Sequence, residues 1–161
     1  MESRIEELPE KALIGKSMRM SLSDNRTYEL WNSFMTSKGA IENGVGTDLY
    51  SIQVYDDLHY FEKFNPTTEF TKWAAIEVEN HFNIPNGFMS YTLKKGLYAV
   101  FLHKGTPAEF SKTFQFILGK WLPQSGYELD NRPHFELLGD KYKNNDPSSE
   151  EEVWVPIRKK P

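Results

Sequence analysis

Pro66-Thr67-Thr68-Glu69 is followed by Trp73 and Ile76, and Pro147-Ser148-Ser149-Glu150 by Trp154 and Ile157, each residue 81 positions after its counterpart. A P-[ST]-[ST]-E-x-x-x-W-x-x-I pattern at constant spacing is improbable by chance in 161 residues, so the chain reads as two copies of one unit. Gly15 and Gly96 share the spacing of 81, whereas Trp31, Phe34 and Met35 match Phe114, Ile117 and Leu118 at 83, so the intervening loops differ slightly. The copies run over about residues 12–80 and 87–158, and each is short for a domain. Residues 1–161 therefore read as a single domain built from two repeats.

Each copy reads strand, helix, strand, strand. In the first, Met18, Met20 and Leu22 alternate with Ser17, Arg19 and Ser21, the period of a half-buried strand. A helix then places Leu30, Trp31, Phe34 and Met35 on one face and stops near Gly39; Leu49 to Tyr55 and Trp73 to Val78 supply two strands. In the second copy, Met89 to His103 is extended with a turn at Lys94-Lys95-Gly96. Thr106-Pro107-Ala108-Glu109 is a capping box with proline at the first helical position. The helix it opens carries Phe110, Phe114, Ile117, Leu118 and Trp121 as one stripe and ends at Pro123 and Gly126. Phe135 to Leu138 and Val153 to Ile157 close the copy. Both termini are charged and read as short solvated tails. The economical assembly is α+β: one mostly antiparallel sheet with helices on one face, pseudo-twofold symmetry, and a ligand groove at the seam.

Composition excludes several functions. With no cysteine there is no disulfide, thiolate metal site or Cys nucleophile. A net charge of −4 argues against direct nucleic-acid binding, which rests on neutralising phosphates. No apolar run approaches the roughly 18 residues that a membrane span needs, and the acidic N-terminus is unlike a secretory signal, so the expected address is the cytoplasm. The G-x-S-x-G, phosphate-loop and dinucleotide motifs are missing, and histidines 59, 81, 103 and 134 have no metal-ligand spacing. Three of those four sit beside loops or strand ends and are expected at the surface. No metal or cofactor is implied.

Two features remain. Aromatic residues make up 14% of the chain, so either the core is unusually aromatic or an aromatic pocket exists. Glu136 interrupts the apolar strand His134-Phe135-Glu136-Leu137-Leu138; alternation puts it on the face of His134 and Leu138, away from Phe135 and Leu137. If that face is solvated, Glu136 is a surface residue. If it lines the groove, a carboxylate among rings calls for a cation or a raised pKa, which suits an organic cation. Glu77 is a weaker candidate of the same kind near a strand end. Trp31, Phe114 and Trp121 lie on helical stripes that favour core packing; Trp73 and Trp154 open equivalent strands, as do Tyr50 and Phe135, and Tyr98 can face either way.

Phe135-Glu136-Leu137-Leu138-Gly139-Asp140, Asn145-Asp146-Pro147-Ser148-Ser149-Glu150 and Val153-Trp154-Val155-Pro156-Ile157 together resemble the close of GyrI-like effector-binding domains, the ligand-binding half of AraC-type activators and MerR-type multidrug regulators. Tyr28 to Phe34 and Lys72 to Val78 are similar to that family too, so the resemblance covers about Ala12 to Arg158. It implies a duplicated strand-helix-strand-strand unit around an aromatic cleft for amphipathic, often cationic, small molecules. Its acidic cleft residue falls on Glu136, and its ring-bearing walls fall on Trp31, Tyr50, Trp73 and Trp154. The chain departs in having Leu138 where many relatives carry an aromatic, and no helix-turn-helix segment. The expected function is thus a stand-alone ligand-binding domain, acting as a ligand sink or with a DNA-binding partner protein, or as a homodimer. Two competitors stand beside it: a hydrolase using Glu136 as general acid/base, and a protein-interaction module using the acidic loop from Asn144 to Glu152.

Overall fold

The period-two patterns of both copies become strands of one sheet in the computed structural model, which describes all residues, Met1–Pro161. The elements are β1 (Ser3–Leu8), β2 (Lys11–Met20), α1 (Thr27–Ser37), β3 (Leu49–Val54), α2 (His59–Glu62), β4 (Phe70–Glu77), β5 (Met89–Leu93), β6 (Gly96–Lys104), α3 (Phe110–Phe116), β7 (Tyr127–Leu129), β8 (His134–Leu138) and β9 (Glu150–Lys159). The sheet runs β1-β6-β9-β8-β3-β4-β2-β5, with β7 paired to β9, and every pairing is antiparallel. No helix is long and apolar enough to cross a membrane.

Register defines the symmetry. Trp73 sits opposite Ile52, and Trp154 sits opposite Phe135. Ile52 and Phe135 are therefore counterparts, and they face each other across the β3–β8 seam, where the pseudo-twofold axis passes. This corrects two expected equivalences. Phe135 corresponds to Ile52 rather than Tyr50. Gly15, opposite Ala75, corresponds to Tyr98, opposite Pro156, rather than to Gly96. Gly15 has a local reason of its own: a Cβ there would collide with the Ala74 carbonyl.

The repeated motif does fold alike in both copies. Thr67 donates from its amide (2.9 Å) and hydroxyl (2.8 Å) to Asn65 Oδ1, and Ser148 does the same to Asp146 Oδ1 at 2.8 and 2.7 Å. These matched side-chain turns aim the chain into β4 and β9.

The N-terminus is not a solvated tail. Ser3–Leu8 pairs along β6 in the second half, while β5 pairs with β2 in the first, so each half borrows its edge strand from the other. At the other end β9 stays paired as far as Lys159.

Both long helices pack on one face. Leu30 and Phe34 of α1 join Ile14, Phe70 and Ala74, while Ile117 joins Phe101, Val153 and Val155 under α3. From Phe116 on, α3 widens into a π turn over Ile117–Trp121 and resumes as Leu122–Gln124. Pro123 has no amide hydrogen and its ring crowds the preceding turn, so the wider turn lets the helix run past it. The opposite face carries no helix. There the sheet curls so that Leu8 and Leu93, from its two edges, join Ile52, Trp73, Tyr98, Phe135 and Trp154 in one buried cluster.

Candidate functional site

Glu136 lies at the middle of the sheet, 9% exposed, on the face that carries the helices. Its neighbours in register are Ser51 on β3 and Val153 on β9, and Val153 belongs to the cluster beneath α3. Glu136 Oε1 accepts a 3.0 Å hydrogen bond from Gln53 Nε2. Gln53 is itself the symmetry counterpart of Glu136, since each follows the paired Ile52 or Phe135. Duplication has thus left one carboxylate and one amide where perfect symmetry would leave two like groups.

Burial pushes the Glu136 carboxyl up to about 7, and only in part does the field of Lys72 oppose it. Glu151, on the same face of β9, is likewise raised to about 7 by burial, with Lys72 again opposing. Lys72 is half-buried and donates to Thr27 Oγ1 at 3.3 Å; burial lowers its pKa while both glutamates act to raise it. With all three ionised, the cluster carries one surplus negative charge.

Rings close the seam from both halves. The short α2 is started by Asp57, whose Oδ1 accepts from the His59 amide at 2.8 Å, and it turns Tyr60 and Phe61 inward. Tyr55 lies 4.4 Å from Tyr60 and 4.8 Å from Phe61. Phe61 stacks on His134 at 5.1 Å and reaches Phe114 of α3 at 6.5 Å. Burial raises the Tyr55 hydroxyl, and the charge of Glu136 adds to it.

His134 is 2% exposed, and burial together with Arg132 pushes it down to about 3, so its imidazole is neutral. Its Nδ1 is buried without a hydrogen-bond partner. His103 is also buried, but satisfied: its Nδ1 lies 2.7 Å from Thr113 Oγ1 and its Nε2 3.3 Å from the Thr106 carbonyl. Two of four histidines are therefore interior, against the expectation of three at the surface. His134 opens β8 inside the seam, and His103 ties β6 to α3 and the turn that leads into it.

The five residues singled out in the sequence do not converge. Trp31 is half-buried on α1, edge-on to Phe34 at 5.8 Å, in the helical layer above the Glu136 face. Tyr50, Trp73 and Trp154 point to the opposite face and belong to the curled cluster with Phe135. The reason is alternation: Val153 shares the side of Glu136, so its neighbour Trp154 cannot. Glu77 pairs with Lys11 at 3.2 Å, a partly exposed ion pair. The residues that do gather around Glu136 are Gln53, Tyr55, Lys72 and Glu151. Applying the spacing of 83 to Glu136 would have found Gln53; the others depend on cross-strand register and on α2.

The site therefore sits in a duplicated antiparallel sheet with two helices on one face and a buried acid at its seam. The chain belongs to the GyrI-like small molecule binding domain family, whose pattern matches residues 1–158. It is 26% identical over 159 residues to the transcriptional regulator BrlR of Pseudomonas aeruginosa, covering 98% of this chain and 56% of BrlR. The chain thus spans about half the length of that curated relative. Among solved structures, SAV2435 bound to tetraphenylphosphonium superposes with a TM-score of 0.73 at 17% identity, over 98% of this chain and 94% of the other. A hydrolase from Listeria innocua superposes with a TM-score of 0.58 at 12% identity, over 97% and 91%. At these identities the two structures share the fold. The domain is a small-molecule-binding one, related to the effector domains of transcription regulators.

Proposed function

We propose that this domain binds amphipathic organic monocations at the seam, with Glu136 as counter-charge and Tyr55, Phe61 and Phe114 as aromatic walls. One observation carries the reading: a carboxylate is buried at the centre of the sheet with an amide as its hydrogen-bond partner and no cation in contact. A buried carboxylate without a contact cation is costly, and an entering cation relieves that cost. Nearby rings add cation–π attraction. The charge count agrees, because Glu136 and Glu151 against Lys72 leave room for one positive charge. The likeness to SAV2435, whose solved structure holds tetraphenylphosphonium, supports the same ligand class.

Phe61 bridges the seam to His134 and Phe114, so a ligand reaching Glu136 enters beside or beneath α2. Trp31 stands in the helical layer, edge-on to Phe34. Tyr50, Trp73 and Trp154 serve the sheet's curled core in this reading and touch no ligand at Glu136. The biological role follows that of an effector domain: a ligand sink, or the sensing half of a regulator that works with a DNA-binding partner or as a homodimer. Calorimetric titration with a lipophilic cation and with a neutral compound of matched shape tests the reading. Saturable binding of the cation, lost in Glu136→Gln, supports it; equal losses for cation and neutral compound refute it.

A second reading is hydrolysis. It draws on a glutamate poised near 7 with the Tyr55 hydroxyl in its field, and on the fold shared with a hydrolase. Turnover that Glu136→Gln abolishes while binding survives would establish it.

A further inference from the structure

His134 Nδ1 and Arg132 Nη1 are the two buried side-chain polar atoms left without a hydrogen-bond partner. Arg132 is otherwise well held, bonded to Asp130 and to the carbonyls of Leu97 and Ile157, with its guanidinium 4.8 Å over Tyr98. His134 has no such compensation. Its ring lies between Tyr55, Phe61 and Phe114, two residues before Glu136 on the same face, and in register with Gln53. An orphaned polar atom in a native interior is expensive, and a partner that arrives with a ligand is one way to satisfy it.

We infer that His134 Nδ1 is a hydrogen-bond acceptor for the bound ligand, so that the site prefers protic cations, bearing an N–H, over quaternary cations of equal shape. The inference rests on the cationic reading proposed above and narrows its ligand class. A neutral imidazole has one donor and one acceptor nitrogen. No hydrogen bond fixes the tautomer of His134, so the proton can sit on Nε2 and leave Nδ1 as an acceptor without a partner. A site of carboxylate and rings alone would gain little from N–H groups at this position, because a protic ammonium loses more hydration on burial than a quaternary one. A second acceptor beside Glu136 reverses that balance.

The probes are benzyldimethylammonium, which carries one N–H, and benzyltrimethylammonium, which carries none, titrated calorimetrically into the intact chain. The wild type is expected to bind the protic cation about tenfold more tightly, the equivalent of one net hydrogen bond. Glu136 can also accept that N–H, so the variants decide the assignment. In His134→Phe the ratio of the two affinities should fall below about twofold; in His134→Asn, whose amide oxygen can stand in for Nδ1, the preference should persist. A preference that survives unchanged in His134→Phe overturns the role of His134. Equal binding of both cations by the wild type overturns the inference and leaves the cationic reading standing. Failure of both cations to bind overturns that reading itself. Circular dichroism of each variant separates a folding defect from a binding one, and the wild-type comparison needs no variant at all.

Discussion

Gln53 donates its side-chain amide to Glu136 across the seam at 3.0 Å, and the two residues occupy symmetry-equivalent positions on β3 and β8. A twofold-symmetric site would set two carboxylates or two amides face to face. Two buried carboxylates in contact would hold a proton between them, and two amides would supply no charge. The asymmetric pair keeps a single acid at the axis with an amide to orient it.

Replacing that acid by its isostere removes the charge and keeps the shape. Glu136→Gln is expected to weaken a lipophilic cation by about 2–5 kcal/mol, the range for breaking a buried charge pair. Fluorescence titration of wild type and variant measures the difference.

Cation binding should depend on pH in a defined direction. The free Glu136 carboxyl sits near 7 and must be ionised to pair with a cation, so affinity rises with pH up to about 7 and levels off above it. Glu151, raised to about 7 as well, steepens the rise. Titrations between pH 5.5 and 8.5 should show this slope for the wild type and a much flatter profile for Glu136→Gln.

Stability of the ligand-free protein should run the other way. Glu136 rises from 4.5 to about 7 on folding, so the folded state holds the proton more tightly than the unfolded chain. Its contribution is therefore most favourable below about pH 4.5 and is lost as pH climbs towards 7. A shift of this size corresponds to about 3 kcal/mol. Urea denaturation of wild type against Glu136→Gln at pH 5 and pH 7.5 should show the variant gaining ground at the higher pH.

The two faces of the sheet should respond differently to mutation. Phe61→Leu is expected to lower cation affinity by about 1 kcal/mol through loss of a ring at the seam. Trp73→Phe, on the curled face, should leave affinity unchanged while costing some stability. Calorimetry paired with thermal unfolding reads both.

The N-terminal strand is structural. Leu8 is 3% exposed within the curled cluster, so Leu8→Ala should cost about 2–4 kcal/mol, read from denaturant midpoints.

Much of this architecture was legible in the chain itself. Local patterns sufficed for the strand alternations, the capping box at Thr106 and the duplication, and alternation within one strand placed Glu136 beside His134 and away from Phe135. What local patterns do not encode is register between strands. The repeat uses two spacings, 81 through the turns into β4 and β9 and 83 through β3 and β8, and neither relates Tyr50 to Phe135. Only the spacing of 83 leads from Glu136 to its counterpart Gln53. Ser3–Leu8 lacks an apolar face, since Ile5 is 40% exposed and Leu8 is its one buried residue, so backbone pairing to β6 makes it a strand. The four residues of α2 are too few to show a period, yet they carry Phe61 to the seam.

In the proposed reading a buried carboxylate selects charge at the seam. Isothermal titration of methyltriphenylphosphonium and of neutral triphenylphosphine oxide into wild type and Glu136→Gln tests it most directly. Saturable cation binding to the wild type is expected, about 30-fold or more weaker in the variant as for a broken buried charge pair, with the neutral compound indifferent to the substitution. Equal losses for both compounds, or a cation that binds the variant as well as the wild type, would contradict it.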